Sequence, residues 1–238
     1  MRQSVIAAVL ALSAPISNAG ELMRIVAEPT AGMLSPRTYY VDMGTFPTDG
    51  LRFGISAGVV PRLMAGVSYG GWDVTGMDDP EWFDHVSLSA RFRFVDETVS
   101  FPALALGYSN EREPSRAGGT FIRLSRGLYL ALSKNFAAPA GDMAFHAGVS
   151  VSFDDSDHAG CWLGVDKSLP AGFGVAADWD PATNEPGSVR FDETGGFINL
   201  EGYWQSFGQV RISIQIRDLL EAGGETYRCL AVDFLGLI

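Results

Sequence analysis

Residues 197–218, FINLEGYWQSFGQVRISIQIRD, decide the fold of this chain. In the last part of the stretch, every second residue is apolar and β-branched: Val210, Ile212, Ile214 and Ile216. The residues between them are polar or charged: Arg211, Ser213, Gln215 and Arg217. Successive side chains of a β-strand point to opposite faces, so the pattern predicts a strand with one apolar and one polar face.

The same two-residue period recurs from Thr38 to the C-terminus, in about twelve segments. Each is close to the roughly ten residues that a tilted membrane-spanning strand needs. Some connections are short, at Pro61, 96–98, 169–170 and 206–208. The others are longer and polar, at 72–82, 110–119, 154–158, 181–196 and 219–226. Short periplasmic turns and longer outer loops are typical of outer-membrane barrels.

Aromatic residues lie at both ends of the predicted strands. Trp72, Trp82, Tyr108, Phe153 and Trp179 stand beside long loops, and Phe94, Phe101, Phe136, Phe173 and Trp204 stand near short turns. Two such belts mark the two interfaces of a membrane barrel. The alternative is a soluble sandwich whose apolar faces pack together, but it would leave faces rich in Gly, Ser and Ala in water. We therefore predict that the apolar face points into lipid and that the sheet closes, since an open edge cannot lie in hydrocarbon.

The sequence divides into three predicted segments, of which two lie before the barrel. Residues 1–19 carry Arg2, an apolar run at 5–12 and the small residues Ser17 and Ala19, as in a secretory signal peptide cleaved after Ala19. Residues 20–37 lack a clear period and form either a periplasmic lead-in or a small plug. Residues 38–238 form the barrel. No later run of about 18 apolar residues predicts a spanning helix.

Composition narrows the possible partners. The net charge is -11, so nucleic acid is not expected as a partner, because an anionic chain repels phosphate. The only two lysines are Lys134 and Lys167, although a soluble β-protein usually has many on its wet face. Cys161 and Cys229 lie several strands apart on opposite parities, so a disulfide between them is geometrically doubtful.

The polar parity places charged and imidazole side chains in the predicted lumen. These binding candidates are His85, Arg91, Arg93, Arg123, His146, Asp166, Asp178, Asp180, Glu201, Arg211, Arg217 and Asp233. Buried charges must pair or stay hydrated. They therefore either select solutes in a water-filled pore or fill the lumen with a network of salt bridges. A barrel of about twelve strands is wide enough for both.

A membrane-embedded hydrolase is a third hypothesis. It would use His146 with Ser150, or His85 with Ser87 and Ser89. Neither pair comes with a nucleophile motif, so we predict no enzymatic activity and no catalytic residues. No phosphate-binding loop, zinc motif or EF-hand pattern occurs, and we predict no cofactor or metal.

Several segments resemble a known group of proteins: PTAGMLSPR (29–37), LRFGISAGVVPRLMAGVSYGG (51–71), PALALGY (102–108), GLYLALSKNF (127–136) and WLGVDKSL (162–169). They are similar to Gram-negative outer-membrane β-barrel proteins allied to the YjbH-like barrels. The resemblance implies an outer-membrane barrel linked to exopolysaccharide production or export, and it supplies no catalytic residues. One departure is the C-terminus, which is Ile238 rather than the aromatic residue that the barrel-assembly machinery reads; Phe234 lies upstream.

Together these observations predict an all-β protein, a single antiparallel up-and-down transmembrane β-barrel in the Gram-negative outer membrane. Its predicted partners are outer-membrane lipid and the barrel-assembly machinery. The predicted function is a passive, porin-like pore for small hydrophilic or saccharide solutes. The alternative is a non-conducting barrel that supports exopolysaccharide export or envelope structure.

Overall fold

A computed structural model describes residues 21–111, 127–153, 159–184, 194–206, 208–222 and 224–238. The described residues form fifteen strands: β1 (Arg24–Ile25), β2 (Glu28–Pro29), β3 (Thr38–Phe46), β4 (Gly50–Val60), β5 (Leu63–Trp72), β6 (Glu81–Trp82), β7 (Ser87–Val95), β8 (Ala103–Ser109), β9 (Gly127–Ala138), β10 (Gly141–Ser152), β11 (Ala159–Ser168), β12 (Phe173–Asp180), β13 (Phe197–Ser206), β14 (Val210–Arg217) and β15 (Tyr227–Leu237). No helix among these residues is long and apolar enough to cross a membrane.

Twelve long strands make one closed antiparallel barrel, which confirms the predicted fold class. Each strand pairs with its neighbours in sequence, and the short β6 adds to β5 at one end. β15 pairs with β3, with Val232 opposite Met43 and Phe234 opposite Val41. This last ladder joins the C-terminal strand to the first barrel strand and leaves no open edge, as a sheet in lipid requires.

The apolar side of each strand faces outward. Ile214 on β14 is 65% exposed, whereas Gln215 beside it is 4% exposed. Ile212, Val149 and Val175 are also exposed, although each lies within a strand. A soluble protein would bury these positions, so the soluble-sandwich alternative is wrong. The outer surface is suited to acyl chains and the inner surface is polar.

The two ends of the barrel differ in the length of their connections. At the short-turn end, β4 joins β5 through residues 61–62 and β9 joins β10 through residues 139–140. At the long-loop end, residues 73–86 link β5 to β7 and contain β6. The first barrel strand begins and the last one ends at the short-turn end, where Ile238 N–H donates to the carbonyl of Arg37 at 2.8 Å.

Residues 21–34, which we call the plug, lie inside the barrel rather than outside it. β1 and β2 form a small antiparallel hairpin within this segment. Most of its apolar side chains are buried: Met23, Ile25, Val26, Ala27, Ala31, Met33 and Leu34. The assignment of residues 20–37 as a periplasmic lead-in or a plug stays a prediction, and the name plug refers here to the position of residues 21–34.

Small residues on the inner wall make room for the plug. Ala31 packs against a buried group formed by Ala103, Ala105, Ala131 and Trp162. The ring of Trp162 lies flat over Gly148 on the neighbouring strand, where an added Cβ would come within 2.0 Å of it. Inward-facing Ala and Gly positions thus set the depth to which the plug and the wall aromatics can pack.

The structure has no disulfide between Cys161 and Cys229. Cys161 lies on the outward parity of β11, and Cys229 lies on the inward parity of β15 and is buried.

Candidate functional site

The barrel wall holds the plug mainly through the plug's main chain. Arg91 donates from Nη1 to the carbonyl of Gly32 at 2.6 Å and from Nη2 to the carbonyl of Met23 at 3.1 Å. Its Nε donates to the hydroxyl of Tyr129 at 2.9 Å, which fixes the guanidinium plane. One buried arginine therefore binds both the start and the end of the plug.

Asp178 binds the tip of the plug hairpin. Its Oδ2 accepts from the N–H groups of Ala27, at 2.8 Å, and Glu28, at 3.3 Å, and its Oδ1 accepts from Nδ2 of Asn199 at 2.6 Å. Nearby, Arg217 donates to the carbonyl of Val26 at 3.4 Å. The carboxylate and the guanidinium thus satisfy main-chain groups that the two-residue strands of the plug leave unpaired.

Three wall residues form a chain of hydrogen bonds that ends on the plug. Ser133 Oγ accepts from the N–H of Ala31 at 2.9 Å and lies 2.8 Å from Nδ1 of His146. His146 Nε2 lies 2.9 Å from Oδ1 of Asp166. The three side chains follow the order of a serine, histidine and aspartate catalytic relay. The plug, however, covers the serine hydroxyl, which binds the N–H of Ala31. These hydrogen bonds therefore anchor Ala31 of the plug to the wall. His146 contacts Ser133 rather than Ser150, the partner that the hydrolase hypothesis assigned to it.

A second charged cluster lies at the long-loop end. Arg52 pairs with Asp42 at 2.7 Å and with Glu111 at 2.6 Å, and Arg24 of the plug also pairs with Glu111. Ser68 donates to Glu111 at 2.8 Å. Burial raises the pKa of Glu111, but the guanidinium groups of Arg52 and Arg24 outweigh it and hold that pKa well below the usual value. Glu111 is therefore an ionised link between the plug and the wall.

The short-turn end has its own pairs. Arg93 pairs with Glu21 at the start of the plug and with Asp96 at 3.2 Å. Glu97, in the turn between β7 and β8, accepts from the N–H of Asn135 at 2.8 Å and from Lys134 at 3.1 Å. Charged contacts thus hold the plug at both ends, and hydrogen bonds to its main chain hold it between them.

Two cavities remain in the lumen, one on each side of the plug. The long-loop cavity has a volume of about 210 Å³ and the short-turn cavity about 540 Å³. Four residues line both cavities, and we call them the junction: Met23, Tyr40, Arg211 and Asp233. Three of them lie on the adjacent strands β3, β14 and β15. The two cavities therefore adjoin beside the wall formed by β3, β14 and β15.

Most predicted lumen residues face inward, but they divide into different groups. Arg91, Asp178 and Arg217 bind the plug, and His146 and Asp166 support Ser133. Arg93 lines the short-turn cavity, and Asp180 and Glu201 line the long-loop cavity. Arg211 and Asp233 belong to the junction.

Two predicted residues fall elsewhere. The prediction for His85 is wrong, because His85 lies in a bend before β7 and its side chain is exposed. The loop continues two residues further than the alternation suggested. Arg123 lies outside the described residues, as do the predicted signal peptide and the 154–158 loop.

Sequence reasoning missed several residues of the site. Tyr40, Asp42 and Arg52 lie on the inward parity of β3 and β4, so the alternation that identified the other residues could have found them. Ser133 and Trp162 are uncharged inward residues, which the search for charged side chains passed over. Nothing in the sequence pattern marks Met23 or Glu111. Within the described part of the chain, no group of three or more His, Cys, Asp or Glu side chains is arranged to hold a metal ion.

No protein-family model and no curated protein matches the sequence. Among solved structures, the chain is similar to the KdgM porin, with a TM-score of 0.50 and 9% identity over 83% of this chain and 98% of that one. It also matches a mutant of the Rh. blastica porin, with a TM-score of 0.38 and 15% identity over 79% of this chain and 55% of that one. A third match is the Salmonella typhi outer membrane phospholipase with bound calcium, with a TM-score of 0.37 and 9% identity over 85% and 91% of the two chains.

At such identities the likeness to the KdgM porin concerns the fold alone. The chain therefore has the fold of an outer-membrane β-barrel, and the specific relation to YjbH-like barrels stays a hypothesis.

Proposed function

We propose that this protein is a pore in the Gram-negative outer membrane, narrowed by its own N-terminal plug, that passes small hydrophilic solutes. Small saccharides are among the solutes that such a polar lumen accommodates. The apolar outer surface supports insertion into the membrane, and the polar inner surface supports a hydrated interior. The proposal assigns no catalytic step to the lumen.

The observation that carries the proposal is the junction. The two cavities lie on opposite sides of the plug, yet Met23, Tyr40, Arg211 and Asp233 line both of them. These four side chains lie where the two cavities adjoin along that wall. In the proposed pore, the solute path runs between the plug and the wall formed by β3, β14 and β15.

One observation favours the alternative of a non-conducting barrel. The plug is bound on several sides by Arg91, Asp178, Ser133 and Arg217, and its apolar side chains are buried. A plug that is bound on several sides would block the passage of solutes between the two cavities. The barrel would then serve envelope structure or exopolysaccharide export without passing solutes itself.

Conductance of the purified protein in a planar lipid bilayer separates the two functions. For a pore, we expect stepwise channel currents and an increased unitary conductance for Tyr40→Ala, which removes a ring from the junction. Tyr39→Ala is the matched control, because Tyr39 is the neighbouring tyrosine on β3 and packs outside against Phe234, with ring centroids 5.9 Å apart. Absence of channel currents from folded wild-type protein would rule out the pore.

A further inference from the structure

The charges of the junction and of Glu201 beside it do not cancel. Arg211 is paired with Glu201, to which its Nε donates at 3.1 Å, and its guanidinium lies 3.7 Å from the ring centroid of Tyr203. Among the ion pairs of the described residues, none includes Asp233. Arg211 is also the cross-strand partner of Asp233 on β14, so its single positive charge faces two carboxylates, Glu201 and Asp233.

Apart from Arg211, the described neighbours of Asp233 carry a negative charge or none. Asp42 is its direct cross-strand partner on β3, and the positive group that pairs with Asp42 is Arg52. On the plug side, the junction residue is Met23, which carries no charge. Tyr40 is hydrogen-bonded to Asp233 but is itself uncharged at neutral pH. The junction and Glu201 together therefore carry one positive charge and two negative charges.

The lining of the short-turn cavity also carries an excess of negative charge. Its lining includes six carboxylates: Glu21, Asp96, Glu97, Asp142, Asp166 and Asp233. Two arginines, Arg93 and Arg211, line it with them. Arg62 and Lys134 pair with Asp96 and Glu97 from beside the cavity, which still leaves more carboxylates than cationic groups. A concave surface with one excess sign of charge concentrates the opposite ion.

We infer that the path past the plug favours cations over anions and that Asp233 is the residue that sets this preference. The inference rests on the proposed pore and adds to it the charge class of the preferred solute. A carboxylate at a narrow point lowers the energy of a passing cation and raises that of an anion. The acidic short-turn cavity concentrates cations beside the junction.

The test is the permeability ratio of K⁺ to Cl⁻, from the reversal potential of the full-length protein in a bilayer under a KCl gradient. We expect the wild type to favour K⁺. Asp233→Asn should lower the ratio by about fivefold, the effect of one charge at 4 Å in water. Asn keeps a side-chain oxygen that accepts from the Tyr40 hydroxyl. Asp233→Glu should keep the wild-type ratio.

Asp142→Asn is the matched control, because it removes the same charge from the exposed rim of the short-turn cavity. It should change the ratio much less than Asp233→Asn. A wild type that favours Cl⁻, an unchanged ratio in Asp233→Asn, or an equal change in Asp142→Asn would each overturn the inference while leaving the pore in place. A folded wild type without current would overturn the pore and the inference together.

Discussion

Asp178 shows how a single inward side chain can fix a whole segment. Its carboxylate accepts two main-chain N–H groups of the plug and one amide of Asn199, and it is 2% exposed. Because the contacts are to main-chain atoms, the wall recognises the path of the plug more than its side chains. Removing the carboxylate leaves buried donors without an acceptor, which costs about 1–3 kcal/mol.

We therefore predict that Asp178→Ala lowers the free energy of unfolding by about 1–3 kcal/mol and loosens the tip of the plug. Urea unfolding in lipid vesicles, followed by tryptophan fluorescence, measures the first effect, and noisier or larger bilayer currents report the second. Asp79→Ala, at an exposed loop position, serves as the control and should behave like the wild type. If Asp178→Ala matched that control, the carboxylate would not be holding the plug.

Glu97 predicts a pH dependence at the short-turn end. Burial raises its pKa, but hydrogen bonds from the side chain and main chain of Asn135, and from Lys134, lower the pKa below its usual value. The stabilisation is complete above the unfolded pKa, about 4.3, and is lost as the pH falls through the lower folded pKa. As the pH falls below about 4.3, the Glu97→Gln variant should therefore lose less stability than the wild type loses.

The measurement for Glu97 is the urea midpoint of wild type and variant across a series of acidic pH values. Above the unfolded pKa, the variant should be the less stable of the two. At the acid end of the series, the two midpoints should converge. Parallel curves over the whole series would show that Glu97 does not contribute.

At the scale of the element, the alternation of apolar and polar residues was sufficient to predict the strands. A strand has a fixed period of two, so the sequence of β14 determines which residues meet lipid and which meet the lumen. The strand ends were harder to place, because loop residues can continue the alternation by chance. His85 extends the pattern of β7 in this way but lies in the bend before it.

The plug was not predictable in the same way. Its two strands have two residues each, too short to show a period, and its burial depends on wall residues such as Arg91 and Ser133 that are distant in sequence. A segment containing Pro29, Gly32 and Pro36 is compatible with a tether or with a plug. Only the matching main-chain contacts along the wall distinguish them.

Orientation of β14 can be tested by one substitution. Ile214 lies near the middle of the strand and faces outward, so Ile214→Arg places a charge in the hydrocarbon region. We expect this substitution to destabilise the protein folded in lipid vesicles by about 2–4 kcal/mol. Val59→Arg is the matched control, because Val59 is outward and exposed but adjoins the turn at 61–62; its cost should be about 0–1 kcal/mol. Equal costs at the two positions would contradict the predicted membrane depth of Ile214.

At the scale of the molecule, the plug acts as the core of the barrel. A twelve-stranded barrel is wider than an eight-stranded one, whose own side chains fill the interior. Here the inner wall is lined in part by Ala103, Ala105 and Ala131, and the plug supplies the apolar volume that these small residues leave open. Met23, Met33 and Leu34 form a second buried group with Met64 of β5. If the barrel is a pore as proposed, the same segment both stabilises the barrel and restricts passage.

This coupling predicts opposite effects when the plug is removed. Deletion of residues 21–34 should increase the unitary conductance, because the two cavities would merge into one hydrated lumen. It should also lower the free energy of unfolding, because the buried apolar contacts of the plug are lost and Arg91 and Asp178 lose their main-chain partners. Bilayer recordings and urea unfolding of the same preparation measure both. Conductance equal to that of the wild type would mean that the plug does not limit the path, and unchanged stability would mean that the barrel does not need the plug as its core.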